Sequence, residues 1–379
     1  MTFLKLDTGV IRNFDAARLG RVRIVRTGYL STLVGLAATR GWAGALKQAL
    51  NGLFYRSKLN GDLVEGNVAR KRIRLPWLFG NPVTSGIYRW IKSAEVAVLR
   101  PYLKDLLRIE KPDVVIVYNG SNYPESVLAN VAQDHRRVYV EGGFFPKTLQ
   151  IDPVGLNAAN SVPRDPAFYL DTDEDFAAGG LPAVVHNRPS KGRFEPVELD
   201  PGYIFVPFQV PSDMQVTLHS PWIRDMETFQ DAICDLADAC PEETFVIKEH
   251  PSFKRSVIGR RDHPRVIYAN GNVTSELIEQ SRAVITLNST VGIEALLIDR
   301  PVITLANACY NVEGLVLHAP SARELSAAVR GLSDRQADPR LRQQFLGYIW
   351  NKYLVRGTYD SPPDDLGAQI LQRADVREA

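Results

Sequence analysis

Short apolar runs rich in β-branched residues recur along this chain, and a helical pattern follows most of them. The run 113–118 is closed by Asn119-Gly120, and the run 203–208 precedes a helical pattern at 222–240. Strands that alternate with helices in this way predict parallel sheets covered by helices on both faces. The 379 residues are too many for one ordinary core. We therefore predict an α/β fold with two Rossmann-like domains that face a central cleft.

The change in sequence texture places the expected domain boundary at residue 200. The first domain, 1–200, would include a helical and basic N-terminal region, and 201–379 would form the second. An irregular stretch at 171–202 is expected to link them. The terminal helices can cross back and pack on the first domain. Pro101, inside the helical pattern 85–109, predicts a kink or a break in that helix.

Charge is distributed unevenly, although the formal net charge is only +2. Between Ile11 and Asp105 there are seventeen Lys or Arg residues against five Asp or Glu residues. Such a basic region suits an anionic membrane surface or a polyanionic acceptor, and it is equally typical of a solvated face. Both interpretations stay open, and no nucleic acid partner is expected.

Cysteine usage and the N-terminus bear on the cellular compartment. Three cysteines without a CxxC pair, Cys234, Cys240 and Cys309, are typical of a reducing compartment. The N-terminus lacks the pattern of a signal peptide, and Arg40 and Lys47 interrupt the apolar stretch 27–50. We expect a cytoplasmic protein, with contact to the inner face of the cytoplasmic membrane as an open alternative.

Two segments follow predicted buried strands and carry polar residues suited to a phosphate. Lys248-Glu249-His250-Pro251 follows the run 244–247, and 288–296 follows 283–287 and leads into a helix. In open α/β sheets, ligands bind beyond the carboxyl ends of the strands, and a helix N-terminus there attracts phosphate. The predicted phosphate-binding residues are Lys248, His250, Pro251, Ser289, Thr290 and Gly292.

These residues also have ordinary structural interpretations. His250 can stabilise charge on a leaving group, or it can cap its own loop. Ser289 and Thr290 can begin a helix and bind phosphate with the same N–H groups. Glu294, expected in the first helical turn, can bind a ribose hydroxyl or interact with the helix dipole.

Two carboxylates that follow predicted strands suit acid–base or nucleophilic chemistry. Glu141 ends the run 137–140 beside glycines and aromatic residues, and Asp213 follows the run 203–208. A nucleophile and an acid/base are the two carboxylates that retaining glycosyl transfer requires. Each carboxylate can also be an ordinary turn residue.

Small and polar residues after the first-domain strands are predicted to contact the substrate. Asn119 and Ser121 follow the run 113–118, and Gly142 follows Glu141. A glycine there lets a substrate approach the backbone. Asn119 and Ser121 are also common turn formers.

Motifs that hold a metal–nucleotide or a dinucleotide are missing from the sequence. There is no P-loop lysine motif and no GxGxxG after a strand. Asp171-Thr172-Asp173 is formally a DxD motif, but it lies in the acidic irregular stretch and is interpreted as solvated surface. We therefore predict a metal-independent reaction without a cofactor.

Four segments in this order resemble the bacterial β-Kdo glycosyltransferases, which are the KpsC/KpsS-like capsule polysaccharide biosynthesis proteins and the related Kdo-transferase modules of O-antigen enzymes. The segments are Glu141-Gly142, Gln209 to Asp213, His250-Pro251 and 288–296. The stretch 155–165 is similar to that family as well. The resemblance spans 113–316, roughly half of the chain.

The resemblance implies a GT-B-like fold and a retaining transfer of Kdo. The donor would be CMP-β-Kdo, and the acceptor would be a saccharide or a lipid-linked saccharide in capsule or lipopolysaccharide O-antigen synthesis. Asp213 would be the nucleophile that forms a glycosyl-enzyme, and Glu141 would be the acid/base. The residues implied to hold CMP are His250, Ser289, Thr290 and Glu294, and those implied to contact the sugars include Gln209, Asn160 and Ser161.

Two other functions stay open at the level of the sequence. In CDP-activated polyol-phosphate transferases a strand-end His-Pro is also found, and His250 would then be the base without a carboxylate nucleophile. A non-catalytic subunit of a polysaccharide assembly is the third interpretation.

Overall fold

The computed structural model describes residues 1–8, 14, 16–54, 57–183, 194–252, 255–332 and 337–375. The strands in these residues are β1 (Thr2–Leu6), β2 (Arg21–Val25), β3 (Val114–Tyr118), β4 (Arg137–Gly142), β5 (Thr148–Asp152), β6 (Ile204–Pro207), β7 (Phe245–Lys248), β8 (Val266–Tyr268), β9 (Ala283–Thr286), β10 (Val302–Thr304), β11 (Leu317–His318) and β12 (Val355–Arg356).

The α-helices in the same residues alternate with these strands in most of the chain. They are α1 (Ala16–Leu19), α2 (Tyr29–Phe54), α3 (Lys58–Asp62), α4 (Glu65–Arg74), α5 (Pro76–Phe79), α6 (Pro82–Glu110), α7 (Glu125–Val131), α8 (Pro166–Leu170), α9 (Met214–Thr217), α10 (Met226–Ala239), α11 (Thr274–Gln280), α12 (Thr290–Leu297), α13 (Ala322–Arg330), α14 (Pro339–Tyr348) and α15 (Leu366–Ala374). A π-helical turn at Ile349–Tyr353 extends α14.

The described residues form two compact units, here named unit 1 and unit 2. Unit 1 comprises 1–143, 147–156 and 355–379, and unit 2 comprises 144–146 and 157–354. The chain therefore enters unit 2 near residue 157, whereas the expected boundary is residue 200, and it returns to unit 1 at residue 355. The irregular stretch 171–202 forms no strand or helix in its described parts, and residues 184–193 lie outside the described residues.

Aromatic packing explains the early entry into unit 2. Tyr169 on α8 is fully buried and packs edge-on against Phe345 and Tyr348 of α14. Phe176, in the irregular stretch, packs against Tyr348 as well. Burial of these rings stabilises the segment on unit 2, and the composition of the stretch does not reveal their partners.

The sheet of unit 2 has the Rossmann arrangement. Its strand order is β11-β10-β9-β6-β7-β8, and every neighbouring pair is parallel. Helices α10 and α13 cover one face, and α12 and α14 cover the other. Strands covered on both faces are continuous apolar runs, and each residue of β6, β7 and β9 is buried.

The sheet of unit 1 is mixed. Its order is β12-β5-β4-β3-β1-β2, in which β2, β1, β3 and β4 are parallel and β5 and β12 are antiparallel to their neighbours. Helices α2, α6 and α7 cover one face, and α15 covers the other. The prediction of an α/β chain with two Rossmann-like domains is confirmed.

Helix α6 continues through Pro101, so the predicted break is not found. Proline has no N–H, and the carbonyl of Ala97, four residues earlier, therefore lacks its usual helical donor. The Nε2 atom of Gln48 on α2 donates to that carbonyl at 3.0 Å. Close helix packing makes this possible, because a Cβ atom on Gly52 would lie 2.6 Å from the Cβ atom of Ala97. A side chain of a neighbouring helix thus replaces the bond that Pro101 removes.

We expect Gln48→Ala to lower the free energy of unfolding by about 1–2 kcal/mol, because the carbonyl of Ala97 loses its donor. In a Pro101→Ala background the loss should be smaller, since the N–H of the new alanine can bond to the same carbonyl. Urea denaturation of the four proteins measures this double-mutant cycle. Equal losses in the two backgrounds would contradict the assigned role of Gln48.

Candidate functional site

Three of the predicted segments follow neighbouring strands of unit 2. Gln209 and Asp213 come after β6, His250 comes after β7, and Ser289 comes after β9. Since β7, β6 and β9 are adjacent and parallel, the segments lie at the carboxyl edge of one sheet. The chain builds this sheet from β6 through β7 and β8, and then continues at β9 on the other side of β6. That reversal is the switch point at which Rossmann folds bind ligands.

Asn288 connects three loops at this edge. Its Oδ1 atom accepts from Gln209 Nε2 at 3.0 Å, and its N–H donates to Gln209 Oε1 at 3.3 Å. Its Nδ2 atom donates to the carbonyls of Gln215 at 2.9 Å and Asn307 at 3.0 Å. The residue is buried, so these bonds are costly to lose. Gln209, predicted to contact the substrate, therefore has its side-chain amide held by Asn288.

Helix α12 begins at the predicted phosphate site. Ser289 is the N-cap, and its Oγ atom accepts from the N–H of Val291 at 3.2 Å. Ser289 and Thr290 are half-buried. The N–H groups and dipole of a helix N-terminus attract an anion. This geometry is compatible with the predicted site, and phosphate binding by Ser289 and Thr290 stays a prediction.

Gly292 and Glu294 lie in the interior of unit 2. A Cβ atom on Gly292 would come within 2.6 Å of Tyr310 Oη, which itself donates to the carbonyl of Ser289 at 2.6 Å. Close packing of Tyr310 therefore explains this glycine without a ligand. Glu294 is 5% exposed and lies beyond the first turn of α12, so the expected position in that turn is wrong.

Lys248 and His250 have different surroundings at the end of β7. Lys248 is buried, and its Nζ atom donates to the carbonyl of Asn272. Burial lowers the pKa of Lys248, and the carboxylate of Glu276 acts in the opposite direction. The geometry gives Lys248 a backbone partner inside the protein and does not support its predicted contact to a phosphate.

His250 and Pro251 are exposed beyond the strand. The Nδ1 atom of His250 accepts from the N–H of Ser252 at 3.2 Å. A neutral ring with that acceptor carries its proton on Nε2, which is the form that donates to a phosphate. Phosphate binding by His250 stays a prediction.

Glu249 orders the loop after β7, although sequence reasoning assigned it no role. Its carboxylate accepts from the N–H of Val257 at 2.7 Å, from Asn270 Nδ2 at 2.9 Å and from Ser256 Oγ at 2.8 Å. Its own N–H donates to Asn270 Oδ1 at 2.8 Å. The backbone from which His250 projects is therefore fixed on both sides. A glutamate at a strand end is too common a pattern to reveal this.

Asp213 lies at the start of the short helix α9. It is exposed, and its Oδ1 atom accepts from the N–H of Gln215 at 3.0 Å as an N-cap. His219 was missed by the sequence analysis: burial lowers its pKa, while the carboxylate of Asp213 acts in the opposite direction. Its Nε2 atom is buried and has no hydrogen-bond partner among the described residues. A neutral imidazole thus accompanies the predicted nucleophile.

Three of the predicted unit 1 residues lie together at the carboxyl ends of β3 and β4. Asn119 Nδ2 donates to Glu141 Oε1 at 3.1 Å. Asn119 Oδ1 accepts from the Oγ and N–H groups of Ser121. Asn119 adopts a left-handed backbone with φ of 60°, which asparagine tolerates better than most residues. Gly142 is exposed, and its carbonyl accepts from Gln150 Nε2 at 2.9 Å.

A buried carboxylate at the switch point of unit 1 was not indicated by any sequence pattern. Glu125 accepts from Thr8 Oγ1, after β1, and from the N–H of Tyr118, at the end of β3, at 3.1 Å. Burial raises the pKa of Glu125 to about 7, against the effects of these two bonds and of Lys5. Lys5 is itself fully buried, and burial lowers its pKa.

Asn160 and Ser161 lie in unit 2, in a loop held by Arg164. The guanidinium of Arg164 donates to Asn160 Oδ1 at 2.9 Å and to the carbonyl of Asn160 at 2.8 Å. Asn160 is 5% exposed, and its Nδ2 atom has no hydrogen-bond partner among the described residues. Ser161 is exposed. The substrate contacts predicted for Asn160 and Ser161 stay predictions.

The chain is similar to a known protein family, to curated proteins and to a solved structure. A profile of the family described as capsule polysaccharide biosynthesis protein matches residues 196–359. Protein FixF of Sinorhizobium fredii is 54% identical over 374 residues, 98% of this chain and 92% of FixF. The capsule polysaccharide export protein KpsS of Escherichia coli is 29% identical over 324 residues, 68% of this chain and 82% of KpsS. The β-Kdo 2,7 transferase structure of Thermosulfurimonas dismutans KpsC aligns with a TM-score of 0.48 and 18% identity, over 73% of this chain and 88% of that one.

The matched region contains every strand of the unit 2 sheet and the three segments at its carboxyl edge. The matched region assigns the chain to the class of polysaccharide-biosynthesis proteins. The chain belongs to the KpsC/KpsS-like family of capsule polysaccharide biosynthesis proteins. The family resemblance of the sequence motifs is thus confirmed, and the roles of individual residues stay predictions.

We expect Asn288→Ala to lower the free energy of unfolding by about 2–3 kcal/mol, because two backbone carbonyls and the side chain of Gln209 lose their buried partner. Asn307→Ala is the matched control: its exposed side chain is removed, while the carbonyl that accepts from Asn288 is kept. Chemical denaturation measures both variants. A loss for Asn307→Ala as large as that for Asn288→Ala would contradict the central position of Asn288.

The raised pKa of Glu125 predicts that the free energy of unfolding falls as the pH rises from about 4.5 to 7. The raised pKa means that the folded protein holds a proton there that the unfolded chain has lost, and the free energy of unfolding then decreases with pH. Glu125→Gln should remove up to about 3 kcal/mol of this decrease. Denaturation at a series of pH values measures the slope, and an unchanged slope in the variant would contradict a protonated Glu125.

Proposed function

We propose that this protein is a retaining glycosyltransferase that moves Kdo from CMP-β-Kdo to a saccharide hydroxyl in capsule or O-antigen synthesis. We further propose that the reaction is metal-independent and takes place in the cytoplasm, in contact with the inner face of the cytoplasmic membrane. The observation that carries the proposal is the position of Gln209 to Asp213, His250 and Ser289 on three adjacent strand ends at the switch point of unit 2. Membership of the capsule polysaccharide biosynthesis family supports it.

The start of α12 is the proposed seat of the CMP phosphate. Ser289, Thr290 and the helix N–H groups supply donors, and His250 Nε2 adds another from the neighbouring segment. A nucleoside monophosphate has less negative charge than a diphosphate, so donors without a lysine or a metal ion suffice. The Nζ atom of Lys248 donates to the carbonyl of Asn272, which agrees with a phosphate site that does not use this lysine. We assign the ribose contact to Glu294.

The proposed chemistry is a double displacement. The carboxylate of Asp213 attacks the anomeric carbon of Kdo, the bond to the phosphate oxygen breaks, and CMP leaves with its electron pair. The acceptor hydroxyl then attacks the same carbon, Glu141 takes its proton, and the ester bond to Asp213 breaks. Two inversions at one carbon retain its configuration. The hydrogen bond from Asn119 orients the carboxylate of Glu141 for this role.

We expect Asp213→Asn to lower the rate of CMP release from CMP-Kdo by about a thousandfold or more, because the nucleophile is lost. Asparagine is as good an N-cap as aspartate, so α9 and the fold should be kept. Asp225→Asn is the matched control: Asp225 is another exposed N-cap of unit 2, on α10, and its replacement should leave the rate unchanged. Circular dichroism of both variants checks the fold. Full activity of Asp213→Asn would end the double-displacement assignment.

The donor is tested on the unchanged protein with CMP-Kdo, CDP-glycerol and UDP-sugars. Faster release of CMP from CMP-Kdo than of any other nucleotide is the expected result. Turnover of CDP-glycerol alone would favour the polyol-phosphate transferase, with His250 as base. Turnover of no donor in the presence of capsule or O-antigen acceptors would favour the non-catalytic subunit.

A further inference from the structure

Unit 1 exposes a broad apolar face on its helices. Of the 23 large apolar side chains that are exposed among the described residues, 14 lie between Leu30 and Ile91. On α2 they recur at helical spacing at Trp42, Leu46, Leu50 and Phe54, and Phe54 is 83% exposed. Ile87 and Ile91 repeat the spacing on α6. Contiguous exposed apolar surface of this kind marks an interaction site.

The exposed stripes of the two helices are continuous. Trp90 on α6 is partly exposed, and its Nε1 atom donates to the carbonyl of Leu53 on α2 at 2.9 Å. On the buried side, Gly52 lets α2 approach Ala94 and Ala97 of α6 closely. The two helices are therefore packed closely together, and their outward apolar side chains form a single surface, here named the apolar face.

Positive charge surrounds the apolar face. From Thr27 to Ile91 the chain has nine Lys or Arg residues and two Asp or Glu residues, against a net charge of +2 for the whole chain. Lys47 on α2, Lys58 on α3 and Arg70 on α4 are exposed. Arg72 on α4 donates to Ser85 Oγ on α6 at 3.0 Å, which holds the basic helix against the same helix pair.

We propose that the apolar face lies on the surface of an anionic lipid bilayer. Apolar and aromatic side chains between basic residues are the pattern of a helix that lies in the membrane interface. None of the described helices is long and apolar enough to cross a bilayer, so the contact is interfacial. A twofold contact with a second copy is disfavoured, because it would bring two strongly basic surfaces together.

The apolar face is the part of the protein that contacts the membrane, and the location of that membrane in the cell rests on the proposed function.

Helix α4 connects this surface to the predicted acid/base. Asn67 on α4 forms two bonds with the backbone of Tyr123: the N–H of Tyr123 donates to Oδ1 at 2.6 Å, and Nδ2 donates to the carbonyl at 3.3 Å. Tyr123 lies in the loop that begins at Asn119, the partner of Glu141. The lipid surface and the acceptor-side residues are thus joined within unit 1.

The first experiment measures binding of the full chain to vesicles of phosphatidylglycerol and phosphatidylcholine, compared with phosphatidylcholine alone. Flotation should bring the protein up with the anionic vesicles only, and high salt should weaken the binding. Three of the five tryptophans, Trp42, Trp77 and Trp90, belong to this exposed region. Brominated acyl chains in the anionic vesicles should therefore quench the tryptophan fluorescence. Failure of the unchanged protein to bind anionic vesicles overturns the proposal.

Variants then locate the contact. The triple change Leu46→Ser, Leu50→Ser and Phe54→Ser should weaken partitioning at least about tenfold, and Lys47→Gln with Lys58→Gln should weaken it about fivefold per charge. The matched control replaces Leu218 and Ile258 with serine, because both are exposed apolar residues of unit 2. Equal binding by the control and the triple variant overturns the proposal.

Two further measurements separate the possible outcomes. Sedimentation equilibrium tests for a second copy. The lipid assignment is overturned if the unchanged protein is a dimer that does not bind vesicles and the triple variant is a monomer. CMP release from CMP-Kdo in solution tests the proposed function without any membrane. If the unchanged protein releases CMP but does not bind vesicles, only the lipid contact is overturned. If it binds vesicles but does not release CMP, only the donor assignment is overturned.

Discussion

The buried amide of Asn288 is the constraint on which the carboxyl edge of unit 2 depends. Parallel strands bring their carboxyl ends to one edge, but they do not fix the loops that follow. Asn288 does so with four hydrogen bonds, which reach the loop after β6, the helix α9 and the loop after β10. The segments that contain Gln209, Asp213 and Ser289 are therefore connected through this one side chain.

The equivalent edge of unit 1 is held by a different group. Glu125 connects the segment after β1 with the end of β3, as Asn288 connects the loops after β6 and β9. A carboxylate can only accept when ionised, whereas an amide both donates and accepts at any pH. The edge that contains Asn119 and Glu141 is therefore sensitive to proton concentration near pH 7.

The sequence predicted features that depend on local patterns and missed those that depend on distant partners. Strand-ending runs located His250, Asp213 and Ser289 at strand ends, because a buried strand and its turn are both local. Lys248 and Gly292 looked like ligand-binding residues until their distant neighbours, Asn272 and Tyr310, were known. Pro101 predicted a kink or a break for the same reason: the donor that replaces its missing N–H is Gln48, about fifty residues earlier in the chain.

The return of the chain to unit 1 also constrains the order of folding during synthesis. The segment 355–379, with β12 and α15, leaves the ribosome after all of unit 2. Leu366 and Ile370 of α15 cover the sheet face that contains Phe3 and Val114, so this face stays open to solvent while the rest of the protein is made. Unit 2 can close first, although its strands come later in the chain. Residues 1–100 thus belong to the unit that is completed last, and its open apolar sheet face is a surface that nascent-chain chaperones are suited to protect.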